Sequence, residues 1–483
     1  MKGSGYLAAP STLRVHSSAK AARVGALRMP TVCIAATCAL LYAGSPIAAE
    51  PAGRDAVAAA EGEAARVATT TDPRALYVAD VVAGNPEIKA DRNEVEAARQ
   101  RVQPAGALED PMLEAGVINA PVSSLSFRRE DMTMKMLGLS QKLPYPGKRD
   151  LKTAVAARDA ESVALAYEET VNRVVRDATV AYADFALVLD SIAISRKTRT
   201  ALKDYLQIAK ARYAVGQGNQ SDVFKAQTAL SKISADLARL ARDQIAGEAE
   251  LARLAGGTSP RGEVLPRHLE LRERSLDLGA LMERVRSGRP QLMALSKLIE
   301  RGTKEIELAR KEFYPDFDVR FQFGQRDSAS DGASRDDMVS LTVGVNLPIW
   351  RERKLMPRVA EATAMRDRAI DERHAEEDES IATLRKQVAT AMQSLTSARL
   401  YERELLPAAE LAVASSLASY KVSRTDFLTL LDSQMAKLEH ELAYVALVAD
   451  YDKALAEIDL LTGTPEVPLD SVSPAWPSHT YRE

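Results

Sequence analysis

Three methionines, Met132, Met134 and Met136, alternate along the chain. Read as a strand, that spacing puts three thioethers on one face, and thioethers prefer soft ions such as Cu(I). Methionine also fills irregular space at a barrel mouth, so no metal ligand is firm. Glu376, Glu377, Asp378 and Glu379 run beside His374, and a solvated helix face explains them better than a metal site. His440 falls on an apolar seam and reads as a structural histidine with a polar partner. Tyr145, Phe313, Tyr314 and Trp350 flank strand-like runs. There they form either a membrane-interface girdle or ordinary junction packing. The sequence has no HExxH, Walker loop, nucleophile elbow or Gly-rich dinucleotide loop, so it predicts neither an enzyme nor a cofactor.

These groups sit in 483 residues with 46% hydrophobic content, 5% aromatic content and a formal net charge of -3. That balance is globular and gives no basic field for nucleic acid. Arg14, Lys20, Arg23 and Arg28 precede an apolar run from about Val32 to Tyr42, and small residues lead to Ala48-Ala49. The pattern predicts an export signal over 1–49, with a start downstream of Met1 as one reading of its long basic region. Cys33 and Cys38 both fall inside it, leaving the mature chain without thiols. A lipid-bearing Cys38 is the weaker reading, because Ala35-Ala36-Thr37 lacks the usual leucine. No other stretch reads as a membrane-spanning helix. Residues 50–72 read as a flexible lead.

The remaining chain repeats itself. Pro86, Pro111 and Pro144 recur at equal spacing as Pro290, Pro315 and Pro348, and proline marks helix starts and strand ends. The first repeat, 73–256, reads as a helix over 73–108, a hairpin over 111–147, a long helix and a return helix. A joint over 257–276 follows. The second repeat spans 277–463 with its hairpin at 315–350, and a Pro-rich tail covers 464–483. In the second hairpin Phe317, Val319, Phe321 and Phe323 alternate with polar residues, as do Val339, Leu341, Val343, Val345 and Leu347. Period two gives one oily and one wet face. The first hairpin keeps the parity, which maps Met132, Met134 and Met136 to the wet face. The long helical runs, roughly 150–215 and 352–422, would each span about 100 Å.

Four amphipathic strands cannot close a membrane barrel alone, because an open edge in lipid leaves backbone groups unpaired. Sharing among chains is required, and a ring of three would supply twelve strands. The fold expected is therefore mainly α, a duplicated helix–hairpin–long helix–helix unit forming a trimeric helical barrel below a shared 12-stranded transmembrane β-barrel. The alternative is a soluble periplasmic coiled-coil adaptor or scaffold, whose sheet would need something to cover its oily face.

The element order resembles that of TolC-like outer-membrane efflux proteins over about 73–463. The marks are Gly138-Leu139-Ser140-Gln141-Lys142-Leu143-Pro144-Tyr145-Pro146-Gly147-Lys148, Val343-Gly344-Val345-Asn346-Leu347-Pro348-Ile349-Trp350, and the turns Ala211–Gly216 and Ala418–Ser423. The resemblance implies an outer-membrane duct of a Gram-negative bacterium with a long periplasmic extension. It also implies a homotrimer working with a periplasmic adaptor and an inner-membrane RND-type pump. Met132-Thr133-Met134-Lys135-Met136 and the Leu-Pro-Tyr-Pro-Gly-Lys segment look most like the heavy-metal branch. Asp432 best matches an acidic residue of the periplasmic gate, and Asp222, with Arg424 as candidate partner, matches an ion-paired position. Ser423 departs from the usual glycine, Thr429 stands where an acid is expected, and Asp426 is the candidate substitute. Asp222 and Asp426 read equally well as helix N-caps.

Overall fold

Proline sets the first boundaries in the computed structural model, which describes residues 72–122, 124, 126–257 and 268–464. The expected export signal, nearly all of the lead and tail, and residues 258–267 of the joint lie outside the described residues. Helix α1 (Pro73–Gly84) and helix α2 (Pro86–Ala105) replace the single helix expected over 73–108. The break is Asn85, which a following proline holds extended at φ -59 and ψ 127. Its side chain then caps α2, accepting from the N–H groups of Glu87 at 2.8 Å and Ile88 at 3.3 Å. The second repeat breaks identically at Arg289 between α5 (Leu278–Gly288) and α6 (Pro290–Lys311). Arg289 has no capping side chain; it pairs with Glu169 and Glu376 instead.

Strands β1 (Met112–Ile118), β2 (Met134–Leu143), β3 (Phe317–Gln325) and β4 (Met338–Val345) form one antiparallel sheet in chain order. The β2–β3 pairing fuses the two hairpins. Leu113, Leu139, Phe321 and Leu341 form one cross-strand rung, and Ala115, Leu137, Phe323 and Val339 the next. The period-two parity therefore places the apolar residues of all four strands on a common face. Among the described residues nothing covers it: Leu113 is 69% exposed and Leu341 71%. The cover that a soluble sheet requires is missing there.

Helix α3 (Lys148–Ala214) runs 67 residues, about 100 Å, and α4 (Gln220–Leu254) returns. In the second repeat α7 (Met356–Leu400) and α8 (Leu406–Lys421) form the long run, and α9 (Phe427–Thr462) returns. Two π-turns, Arg351–Leu355 at the start of that run and Tyr401–Leu405 inside it, each stand just before a proline, Pro357 or Pro407. A proline nitrogen cannot donate to the turn behind it, so that turn widens. α3 packs against α2, α4, α6 and α9, while α9 packs against α3, α7 and α8. One window of α3 is apolar enough to cross a membrane, with mean hydropathy 1.5, contrary to the sequence expectation; half of it is buried within the chain. Its apolarity serves the helix core, where Tyr167, Val171, Val174 and Phe185 pack with Tyr77, Val81 and Leu251.

Each repeat locks its ends by the same contact. α4 and α9 are followed by left-handed glycines, Gly256 at φ 76 and Gly463 at φ 65. A Cβ on either would stand 2.5 or 2.4 Å from the carbonyl oxygen of Gly84 or Gly288. Neither the conformation nor the space admits a side chain.

Candidate functional site: the helix tips and the sheet junction

At the tips, four helices turn through two unlike loops. α3 ends in a turn with Gly216 at φ 75, and α8 ends with Ser423 at φ 61. Holding a serine in the left-handed region costs about 1 kcal/mol. Arg212 of α3 offsets this cost by joining the loops. Its guanidinium donates to the Tyr420 carbonyl, to the Ser423 Oγ at 2.7 Å and to the Gln217 carbonyl at 3.1 Å. It also lies 4.4 Å over the Tyr420 ring. Sequence reading missed Arg212; its only signal was standing where the second repeat has Ser419. Below it, Tyr420, Phe427, Leu430, Leu202 and Leu206 form the tip core. There the Tyr205 hydroxyl donates to the Gln434 Oε1 at 3.0 Å.

The expected gate residues distribute around this core. Asp426 is the N-cap of α9, accepting from the Thr429 N–H at 3.2 Å and from its hydroxyl. Those donors, hydroxyl first, hold its carboxyl below the usual carboxylate range. Asp222 is not a cap: Asn219 occupies that position and Asp222 lies in the first turn of α4. A carboxylate there is favoured by the helix dipole. No ion pair joins Asp222 to Arg424 within the chain among the described residues. Asp222 instead faces Tyr420, whose hydroxyl is pushed up by burial and then by that carboxylate. Asp432 is exposed on α9.

The other end joins helices to sheet. Lys148 is buried, and its ammonium donates to Asp316 at 2.7 Å and to the Tyr314 carbonyl at 3.0 Å. Asp316 also accepts from the Tyr145 N–H at 2.8 Å. The Tyr145 and Tyr314 rings stack with centroids 4.6 Å apart, and Lys311 lies 5.6 and 6.0 Å from them. Trp350 is 64% exposed, and Phe313 lies beside Tyr314 in the turn after α6.

Elsewhere, Glu376 and Glu377 pair with Arg289 and Arg286, so the acidic run braces α7 against α5 and α6. No group of three or more His, Cys, Asp or Glu side chains among the described residues could hold a metal. His440 meets the edge of the Tyr401 ring at 5.8 Å, an aromatic rather than the expected polar partner. Met134 and Met136 lie on the wet face of β2, whereas Met132 is exposed in the turn before it.

Comparison with known proteins agrees with this arrangement. The model of the outer membrane efflux protein family matches residues 78–257 and 281–464, one segment per repeat. The outer membrane efflux protein BepC of Brucella suis is 23% identical over 301 residues, which is 61% of this chain and 64% of that protein. The chain thus aligns with somewhat under two thirds of that relative's length. The fold matches CusC with TM-score 0.69 at 13% identity, covering 81% of this chain and 92% of that one. It matches VceC from Vibrio cholerae with TM-score 0.68 at 16% identity, covering 80% and 95%. With its two repeats, its exposed apolar sheet face and its paired long helices, the chain belongs to the TolC-like outer membrane efflux protein family, lying in the outer membrane with a long helical periplasmic part.

Proposed function

We propose that three copies of this chain form the passive exit duct of a tripartite efflux system, fed by an inner-membrane RND-type pump through a periplasmic adaptor. The observation that carries this reading is the sheet. Its apolar face is exposed, and its edges β1 and β4 have no partner strand among the described residues. In hydrocarbon both facts require neighbours, and three copies of four strands close a twelve-stranded barrel. Heavy-metal cations are the cargo class that the methionine pattern favours, and a duct lined by polar side chains leaves the choice of cargo to the pump. In this reading Asp432, Asp222, Arg424 and Asp426 line the periplasmic gate. Rings of carboxylates in a narrow tube attract cations and repel one another, so their pairing sets the opening.

Planar-bilayer recording tests the duct. Purified protein should show a small, mostly closed conductance that rises in Asp432→Ala. Absence of any conductance in both proteins would contradict the reading.

A further inference from the structure

We infer that Met134, Met136 and Met338 form a thioether site for a soft monovalent cation, Cu(I) or Ag(I), on the wet face of the sheet. The strand register makes the case. Gly324 of β3 pairs with Met136 on one side and Met338 on the other. All three positions share one face, because partners directly across a sheet project the same way. Met134 lies two residues from Met136 on that same face, and its sulfur leans over Gly324. A Cβ built on Gly324 would stand 2.5 Å from the Met134 Sδ. The absent side chain is therefore the space that the thioether fills, with a methionine on either flank.

Open room continues beside the cluster: a Cβ on Gly116, the β1 partner of Met136, would meet nothing within 4 Å. Glu114 lies along this face of β1, two residues before Gly116, and adds negative charge. Two nearby guanidinium groups are engaged elsewhere: Arg326 is turned to the carbonyls of Asp336 and Asp131, and Arg335 to the Asp131 carboxylate and the carbonyls of Glu130, Asp327 and Arg128. The two repeats contribute to the site jointly, β2 with two sulfurs and β4 with one. Met132, in the exposed turn, is excluded. Thioether-only ligation selects soft ions over Zn(II) or Mg(II).

That this face lines a lumen rests on the exit-duct reading; binding itself does not. The test is titration of the detergent-solubilised mature chain, free of Cys33 and Cys38, with Ag(I) in chloride-free buffer, with silver X-ray absorption to identify the scatterers. One Ag(I) per chain with sulfur neighbours is expected. Replacing all three residues by leucine should weaken binding at least tenfold, and Met132→Leu should leave it unchanged. Gly324→Ala removes no sulfur and displaces only the flexible end of Met134, so it should weaken Ag(I) binding severalfold while oligomer size and circular dichroism stay as in the parent. Absence of Ag(I) binding in the parent chain, or parental affinity in the triple variant, would overturn the site. A chain that binds silver yet stays monomeric without detergent would overturn the duct and leave the site standing.

Discussion

The two return helices, α4 and α9, are equivalent in the repeat and unlike in the molecule. α9 buries residues along its whole length, among them Leu430, Val448, Tyr451 and Ile458. α4, of nearly equal length, buries only Ala226, Ile233, Leu251 and Leu254. The seams are similar in sequence; the neighbours differ. α9 lies between α3 on one side and α7 and α8 on the other, whereas α4 has α3 as its main neighbour. Large apolar side chains accordingly stay open on α4, Phe224 at 56% and Ile245 at 69%. The sheet repeats this contrast, with β2 and β3 paired on both sides and β1 and β4 on one. An interior half and an edge half within one chain are what a shared, closed assembly needs.

Substitutions can break this contrast. The largest effect is expected on the lipid-facing side: Leu341→Lys should cost about 2–4 kcal/mol at mid-membrane depth. Fractionation should then show loss of outer-membrane insertion, while the same change at wet-face Thr342 is tolerated. Next, Ile458→Ala on α9 should cost about 2–5 kcal/mol, read as a lower denaturation midpoint. Ile245→Ala on α4 should barely move the midpoint of the isolated chain and should instead loosen the oligomer, read by dilution in detergent. At the tips, Arg212→Ala removes two donors to the second loop and should cost about 1 kcal/mol. It should also raise conductance, whereas Arg212→Lys restores only part because lysine lacks the planar fork.

The smallest effect is pH-dependent. Burial pushes the Asp72 carboxyl up, but Arg272 and the Arg74 N–H outweigh it and hold it below the usual range. Asp426 is lowered too. Stability from a depressed carboxylate is present above its unfolded pKa and lost as pH falls through the folded one. Acidification from about pH 5 downward should thus loosen the start of α1 and the α9 tip. Asp426→Asn should flatten the tip's share of that response, read by amide exchange near Thr429.

What was legible in the sequence was local or periodic. The prolines that open α2 and α6 and the alternation in β3 and β4 need only neighbouring residues. Two features need partners far along the chain. Arg212 reaches Ser423 only after both long helices have turned, and Met338 meets Met136 only through the β2–β3–β4 register. Asp222 was offered as a cap because spacing alone does not distinguish Asn219 from a residue three positions on. The apolar window of α3 is masked by the charge of the whole run, whereas packing acts on a few turns. The π-turns before Pro357 and Pro407 were in principle readable from proline chemistry.

The most direct measurement is the mass of the purified chain with and without detergent, by sedimentation and native mass spectrometry. Three chains per particle in detergent, and aggregation on its removal, is the predicted result. A single chain, monodisperse in plain buffer, would contradict the shared barrel.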